Sequence, residues 1–237
     1  MKILKNAHVL VKSLLVILPF LNTTTKATDA ADLLRAPLPS VPCARPAILE
    51  IPNLHNLPDL LGPHLQPGHR LSVFVDFDDT VAQRIVQVDG QTIEYLSSPE
   101  IQRMMMPHVG PIVQETAITR GINPAEIDLA ITCLRQPPSS YRYYPEGSFQ
   151  EDLFSPLVAM GATVKICSGR SLRSDAAKLP FVLSLGLTPD DYIYAPDNKG
   201  ATMLRCILKM AEANHTVVLV DNNPDVLDEF SQGAGLY

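Results

Sequence analysis

Hydrophobic positions along this chain fall into three regimes. From about Ala30 to Arg70 short apolar pieces alternate with prolines, which fix φ and remove backbone donors, so no long helix fits. An extended arm with one short helical turn near Asn56–Leu61 is expected there. The second regime opens at Leu71–Val75 (LSVFV), a β-branched apolar run followed at once by DFDDT. It reads as a buried strand stopping at a polar edge. Residues 81–96 then alternate about Asp89-Gly90, a two-residue hairpin turn. From Pro99 to about Leu134 the apolar spacing is helical, interrupted at Gly121–Pro124, and Tyr141–Gly147 reads as a loop.

The third regime alternates helices and strands. Phe149–Met160 predicts a helix stopped by Gly161, and Thr163–Cys167 a buried strand ending in SGR. Leu172–Leu185 predicts a helix, Tyr192–Ala195 a strand and Lys199–Ala213 a helix. Thr216–Val220 (TVVLV) is the clearest buried strand; it ends in DNNPD, and a last helix runs from Pro224 to about Phe230. Strands that are apolar throughout and alternate with helices define an α/β fold, a Rossmann-like parallel sheet with helices on both faces. In such sheets ligands bind beyond the carboxyl ends of the strands. DFDDT, SGR and DNNPD should therefore meet on one edge.

Composition changes this picture in two places. The net charge is −6 and the pI about 5.5, so no basic field is available for nucleic acid or anionic lipid. Phosphate handling by such a chain needs a cation or local donors. At the start, Lys2 and Lys5 precede the apolar run Ser13–Leu21, with small residues before a cut after Ala27. That is the pattern of an export signal, and the run is about half of the ~20 residues a membrane span needs. An exported protein, periplasmic or secreted, without a membrane span is expected. Of the four cysteines, Cys167 and Cys206 read as small buried hydrophobes, while Cys43 and Cys133 lie in polar surroundings and could pair.

The chemistry lies at the strand ends. Asp76 and Asp78, two apart in an extended stretch, point the same way. Two carboxylates can divide the roles of nucleophile and proton donor in phosphoryl transfer. Thr80 offers a hydroxyl to orient the loop or touch phosphate. Asp221, joining Asp76, would make a site for Mg²⁺, which takes one or two carboxylates plus waters and phosphate. Asp225 either reaches that metal through water or caps the last helix. Ser168 and the Gly169 amide are donors suited to a phosphate oxygen. Lys199 opens a helix against the sense of the helix dipole, so an anionic partner is expected beside it. Arg170 could neutralise phosphate or sit at the surface, and the surface is the favoured reading. His55, His64 and His69 share no face, and packing or surface roles are expected for them.

In order and spacing, DFDDT at 76–80, Ser168 after VKIC, Lys199, and DNNPD at 221–225 resemble the four motifs of the haloacid dehalogenase-like (HAD) hydrolase superfamily, over a stretch from Leu71 to the C-terminus. The resemblance implies that Asp76 is a nucleophile forming an aspartyl-phosphate and Asp78 the general acid and then base. It also implies Mg²⁺ on Asp76, the Asp78 carbonyl and Asp221, with Ser168 and Lys199 steadying the phosphoryl group of a small phosphorylated substrate. The presence of the second aspartate favours a phosphatase or phosphotransferase within the superfamily. The implied division is a signal peptide at 1–27, an arm at 28–70, a core at 71–80 and 148–237, and a flap hairpin with a small, mainly helical cap at 81–147. The whole is similar to an exported bacterial branch with a short cap. Two features depart from the pattern. Asn222 stands where relatives often carry a second acid, and the final edge strand of many relatives is missing, a gap the Pro-rich arm is expected to cover. The alternatives to a phosphomonoesterase are a phosphotransferase or mutase, and a non-catalytic binding or effector protein on the same scaffold.

Overall fold

The computed structural model describes residues 13–19, 47–51, 53–62, 70–95, 123–144, 147–196, 215–223 and 226–230, together with residues 115, 118, 119 and 199. Among them are nine strands in two sheets. The larger contains β1 (Ser13–Pro19), β2 (Ala47–Ile51), β3 (Arg70–Asp76), β7 (Ala162–Ser168), β8 (Tyr192–Tyr194) and β9 (His215–Asp221), in the order β2-β1-β9-β3-β7-β8. β9, β3, β7 and β8 are parallel, while β1 is antiparallel to β9 and β2 antiparallel to β1. The smaller sheet is antiparallel, in the order β5-β4-β6, from β4 (Ala82–Val88), β5 (Gln91–Tyr95) and β6 (Ser140–Tyr143). An α/β architecture built on parallel strands, with a separate antiparallel sheet inserted after β3, is the result.

Strand β3 is buried on both faces, as a central parallel strand must be. Leu71, Val73 and Val75 join one core with Val164, Ile166, Val218 and Val220 of its neighbours. Covering that face are Leu57 and Leu61 of α1 (Leu57–Leu61) and Leu157 of α3 (Ser155–Ala159). A π turn at Phe149–Phe154 leads into α3 and adds Leu153 to the same core. Gly161, at φ 80°, then reverses the chain into β7, a conformation that favours glycine.

The inserted unit has its own small core. The β4–β5 hairpin turns at Asp89 (φ 49°) and Gly90 (φ 75°), the positive-φ pair that two-residue hairpins require. Helix α2 (Pro124–Arg135), capped by the Asn123 side chain on the Ala125 amide, packs Ala130 and Cys133 against Val86 and Tyr95. Cys133 is a buried free thiol rather than half of the pair with Cys43; Cys43 and Cys206 lie outside the described residues.

Two expectations are corrected. Tyr141–Gly147 was expected as a loop, but residues 140–143 form β6, in register with Ala82–Ile85 of β4. Tyrosines are good strand formers, and Tyr141 alternates inward beneath the loop that follows β3. The helix expected over Leu172–Leu185 is confined to α4 (Lys178–Ser184). Upstream, the Ser171 hydroxyl accepts from the Arg173 amide and Asp175 from the Ala177 amide, local bonds that compete with helix.

The free side of β9 is filled from the N-terminal side. β1, the apolar run read as the core of an export signal, lies directly against β9, and β2 of the Pro-rich arm lies one strand further out. Cleavage after Ala27 would take β1 out of the sheet and open the β9 edge. No helix among the described residues is long and apolar enough to cross a membrane. The stretch 99–123, apart from residues 115, 118, 119 and 123, the helix expected over Lys199–Ala213, apart from its first residue, and the residues His64 and His69 lie outside the described residues.

Leu153 is fully buried between the π turn and the sheet. Leu153→Ala is expected to lower unfolding free energy by about 2–5 kcal/mol, seen in urea denaturation as a lower midpoint at unchanged slope.

Candidate functional site

In chain order β3, β7 and β8 step outward in one direction, and β9 returns to the other flank of β3. The boundary between β3 and β9 is the switch point at which open sheets bind ligands. Register brings the chemistry to that point. Asp76 pairs with Cys167 and Val75 with Val220, so Asp76 ends β3 between Ser168 on one side and Asp221 on the other. Past Asp76 the alternation continues. Phe77 turns inward, fully buried, and meets Tyr141, Phe181 and Tyr192 edge-on. Asp76 and Asp78 are left facing a cavity of about 360 Å³. The following turn is closed by bonds from the Val81 and Ala82 amides to the Phe77 carbonyl.

Asp76 is 6% exposed and Asp221 1% exposed, and the Lys199 ammonium joins them. It contacts Asp76 Oδ1 directly and lies 2.6 Å from Asp221 Oδ2. Thr80 donates to Asp76 Oδ2 at 2.8 Å, so its hydroxyl orients the carboxylate. Burial pushes Asp76 up to about 7; Lys199 opposes that rise, and the Asp221 charge adds to it. Lys199 is raised as well: burial disfavours its charge, but Asp221 and Asp76 outweigh that. Two buried carboxylates sharing one ammonium leave a net negative pocket of hard oxygens, the donor set Mg²⁺ prefers. The residues present therefore fit a divalent cation held by Asp76 and Asp221, although no group of three or more acidic, His or Cys ligands occurs among the described residues. Asp221 Oδ1 also accepts from the Asn223 amide at 2.9 Å, fixing the carboxylate at the end of β9. Asp225 lies outside the described residues.

Asp78 occupies the opposite, cationic flank. Ser168 donates to its Oδ2 at 3.3 Å, Lys178 Nζ is 3.8 Å from the same oxygen, and Arg170 Nη1 is 3.9 Å from Oδ1. Ser168 is fully buried and also accepts from the Arg170 amide at 3.1 Å. Gly169 lines the cavity with Arg170; the Arg170 side chain, 41% exposed, lies at the surface as expected and also borders the cavity beside Asp78. Sequence reasoning missed Arg84 and Lys178 altogether. Arg84 on β4 is 3% exposed, lines the cavity and donates from Nη2 to the Gln136 carbonyl at the end of α2. Lys178 is fully buried beneath Asp78, its ammonium 4.6 Å from the centre of the Phe77 ring. Burial lowers its pKa, and Asp78 pulls it back up. The only sequence signal for either was a lone cation within an apolar or alternating stretch, which usually means a solvated side chain.

Compared with known proteins, the chain matches no family model, no curated protein and no solved structure. What the site can do is taken from its own geometry. A lysine-bridged carboxylate sits at the switch point of a parallel sheet, with a second carboxylate two residues on and cations opposite.

Lys178 Nζ has no hydrogen-bond partner, and Asp78 keeps Ser168 and Arg170 without it. Lys178→Met, of similar length, removes a desolvated charge. It is expected to raise the melting temperature by about 2–4 °C in a calorimetric scan; a fall would mean that the ammonium stabilises the fold.

Proposed function

We propose that this chain is a Mg²⁺-dependent phosphomonoesterase of the HAD-like type, acting through an aspartyl-phosphate on Asp76. The observation that carries it is the convergence of Asp76, Asp78, Lys199 and Asp221, distant in sequence, on one cavity beyond the strand ends, with Ser168 bonded to Asp78. Lys199 and Thr80 hold the Asp76 carboxylate in a fixed orientation, which favours in-line attack on phosphorus. As the Asp76–phosphorus bond forms, the bond to the ester oxygen breaks, and Asp78 gives that oxygen a proton. Asp78 then takes a proton from the water that attacks the aspartyl-phosphate, releasing inorganic phosphate and restoring Asp76. Ser168 holds Asp78 for both transfers, and the Gly169 amide and Lys199 are assigned to the phosphoryl oxygens. A bound Mg²⁺ would neutralise phosphate charge and keep Asp76 ionised against the effect of its burial.

The inserted hairpin, β6 and α2 are assigned as the cap. Support comes from Arg84 and Leu134, which line the cavity from that unit. Closure of such a lid would keep water from the site while the aspartyl-phosphate forms. Export is proposed for the chain on its charged start and apolar run; its test is the N-terminus of protein recovered outside the cytoplasm, expected at Thr28. Recovery of full-length chain alone would count against it.

Purified protein with Mg²⁺ is expected to release phosphate from an aryl phosphate, and Asp76→Asn to fall to the no-enzyme background with its circular dichroism intact. Wild-type activity in that variant would sink the nucleophile assignment. Chelator is expected to silence the wild type and fresh Mg²⁺ to restore it. Formation of alkyl phosphate on adding an alcohol, in place of free phosphate, would mark a transferase instead.

A further inference from the structure

Arg84 is the largest unexplained charge in the cavity. Its guanidinium comes from the inserted sheet, not from the strand ends that carry the reaction chemistry. Arg84 and Val86, two apart on β4, share the face that α2 covers, so the helix buries a side chain that would otherwise reach water. Nη2 is bonded to the Gln136 carbonyl at 3.0 Å, a favourable place for a cation at the end of a helix. Nε and Nη1 are buried without a hydrogen-bond partner. Anchoring α2 uses one nitrogen of a planar fork and leaves the other two unaccounted for. Leaving buried donors unmade is costly, and guanidinium does not escape the cost by losing its proton.

The neighbourhood sharpens the point. Burial disfavours the charged guanidinium first, and the Arg170 charge adds to that, while Tyr141, Asp78 and Asp79 pull the other way. Two guanidiniums thus line one cavity, and Asp78, one of the two aspartates whose charge acts on Arg84, is already engaged by Ser168, Lys178 and Arg170. The transferred phosphate belongs at Asp76, on the side of Lys199 and Asp221. Leu134 of α2 adds an apolar side chain to the lining. At about 360 Å³ the cavity is near the small end of ligand pockets, enough for phosphate and a short carbon skeleton.

We propose that the alcohol part of the substrate carries a second anionic group, a carboxylate or a second phosphate, and that Arg84, with Arg170 at the rim, binds it. The unpaired Nη1 and Nε lie on different sides of the guanidinium, so each offers a separate charge-assisted hydrogen bond to a carboxylate or phosphate oxygen. Substrates would then be short phosphorylated acids or bisphosphates, and neutral phosphorylated alcohols would bind poorly. Because Arg84 is tethered to the end of α2, an anion held by it also ties the inserted unit to the substrate. This assignment rests on the phosphomonoesterase reading for the location of the first phosphate.

The test is calorimetric binding in the presence of Mg²⁺, using phosphonates that cannot be hydrolysed. Phosphonopropionate and propylphosphonate differ only in the second charge, and ethylenebisphosphonate offers a second phosphonate in place of the carboxylate. Wild type is expected to bind at least one doubly anionic probe about tenfold or more tightly than propylphosphonate; which one it favours separates carboxylate from phosphate. Arg84→Gln is expected to erase the difference and Arg84→Lys to keep part of it. Equal affinity of the wild type for all three would overturn the proposal, as would a preference unchanged in Arg84→Gln. Should Arg84→Gln fail to fold, the wild-type preference and the Arg84→Lys variant decide. A clear preference in a protein that hydrolyses no ester would keep the anion subsite and overturn only the hydrolase. Failure to bind any of the probes would remove both.

Discussion

The buried ammonium of Lys199 is the contact on which the site depends. It lies between two carboxylates that the sheet forces together, Asp76 at the end of β3 and Asp221 at the end of β9. Without it, two acids in adjacent strand ends would repel at low dielectric, and one would take up a proton. With it, that repulsion is offset, although burial still pushes Asp76 up to about 7. Such an ion cluster adds little net stability, because desolvation consumes most of the Coulombic gain. It does fix geometry. The switch-point topology brings the carboxylates together, and Lys199 determines how they face each other.

The same division of labour explains what could be read from the sequence. The strands β3, β7 and β9 were legible because a central parallel strand must be apolar on both faces, and little else in a chain looks like VFV or TVVLV. The hairpin was legible because Asp89-Gly90 leaves few alternatives. β6 was not: YRYY between Pro138 and Pro145 looks like a loop, and only pairing with β4 makes it a strand. The stretch before α4 looked helical by apolar spacing, but Ser171 and Asp175 satisfy backbone amides locally and delay the helix to Lys178. At the site, the acids and Lys199 could be placed because each follows a strand or opens a helix. Arg84 and Lys178 could not. Burial of a cation is decided by what is packed over it, and α2 and the ring of Phe77 are remote from them in sequence.

The free side of β9 shows a second constraint. A parallel sheet whose last strand is fully apolar cannot leave that edge bare without inviting another chain. β1 and β2 close it in the full chain, β1 by six paired positions from Leu14 to Pro19. The apolar run that suits an export signal also suits a strand next to TVVLV, since both need little more than short, uncharged hydrophobicity. Removing it transfers the burden of covering β9 to β2, the next strand outward.

Charge within the cavity is arranged by origin. Negative groups come from the ends of β3 and β9, where the proposed divalent cation and reacting phosphate would sit. Of the positive groups, Lys199 lies between those acids, while Arg170 after β7 and Arg84 from the inserted sheet line the other flank and Lys178 is buried against Asp78. A protein of net charge −6 cannot attract an anion by its overall field. Local placement has to do so, and placement on two separate structural units adds a condition. Arg84 lines the cavity from β4, held by its bond to the end of α2. An anion bound between the two flanks therefore touches both units, and its binding energy falls on the contact between them. A ligand that bridges in this way favours the closed arrangement by the difference in its affinity for the two states.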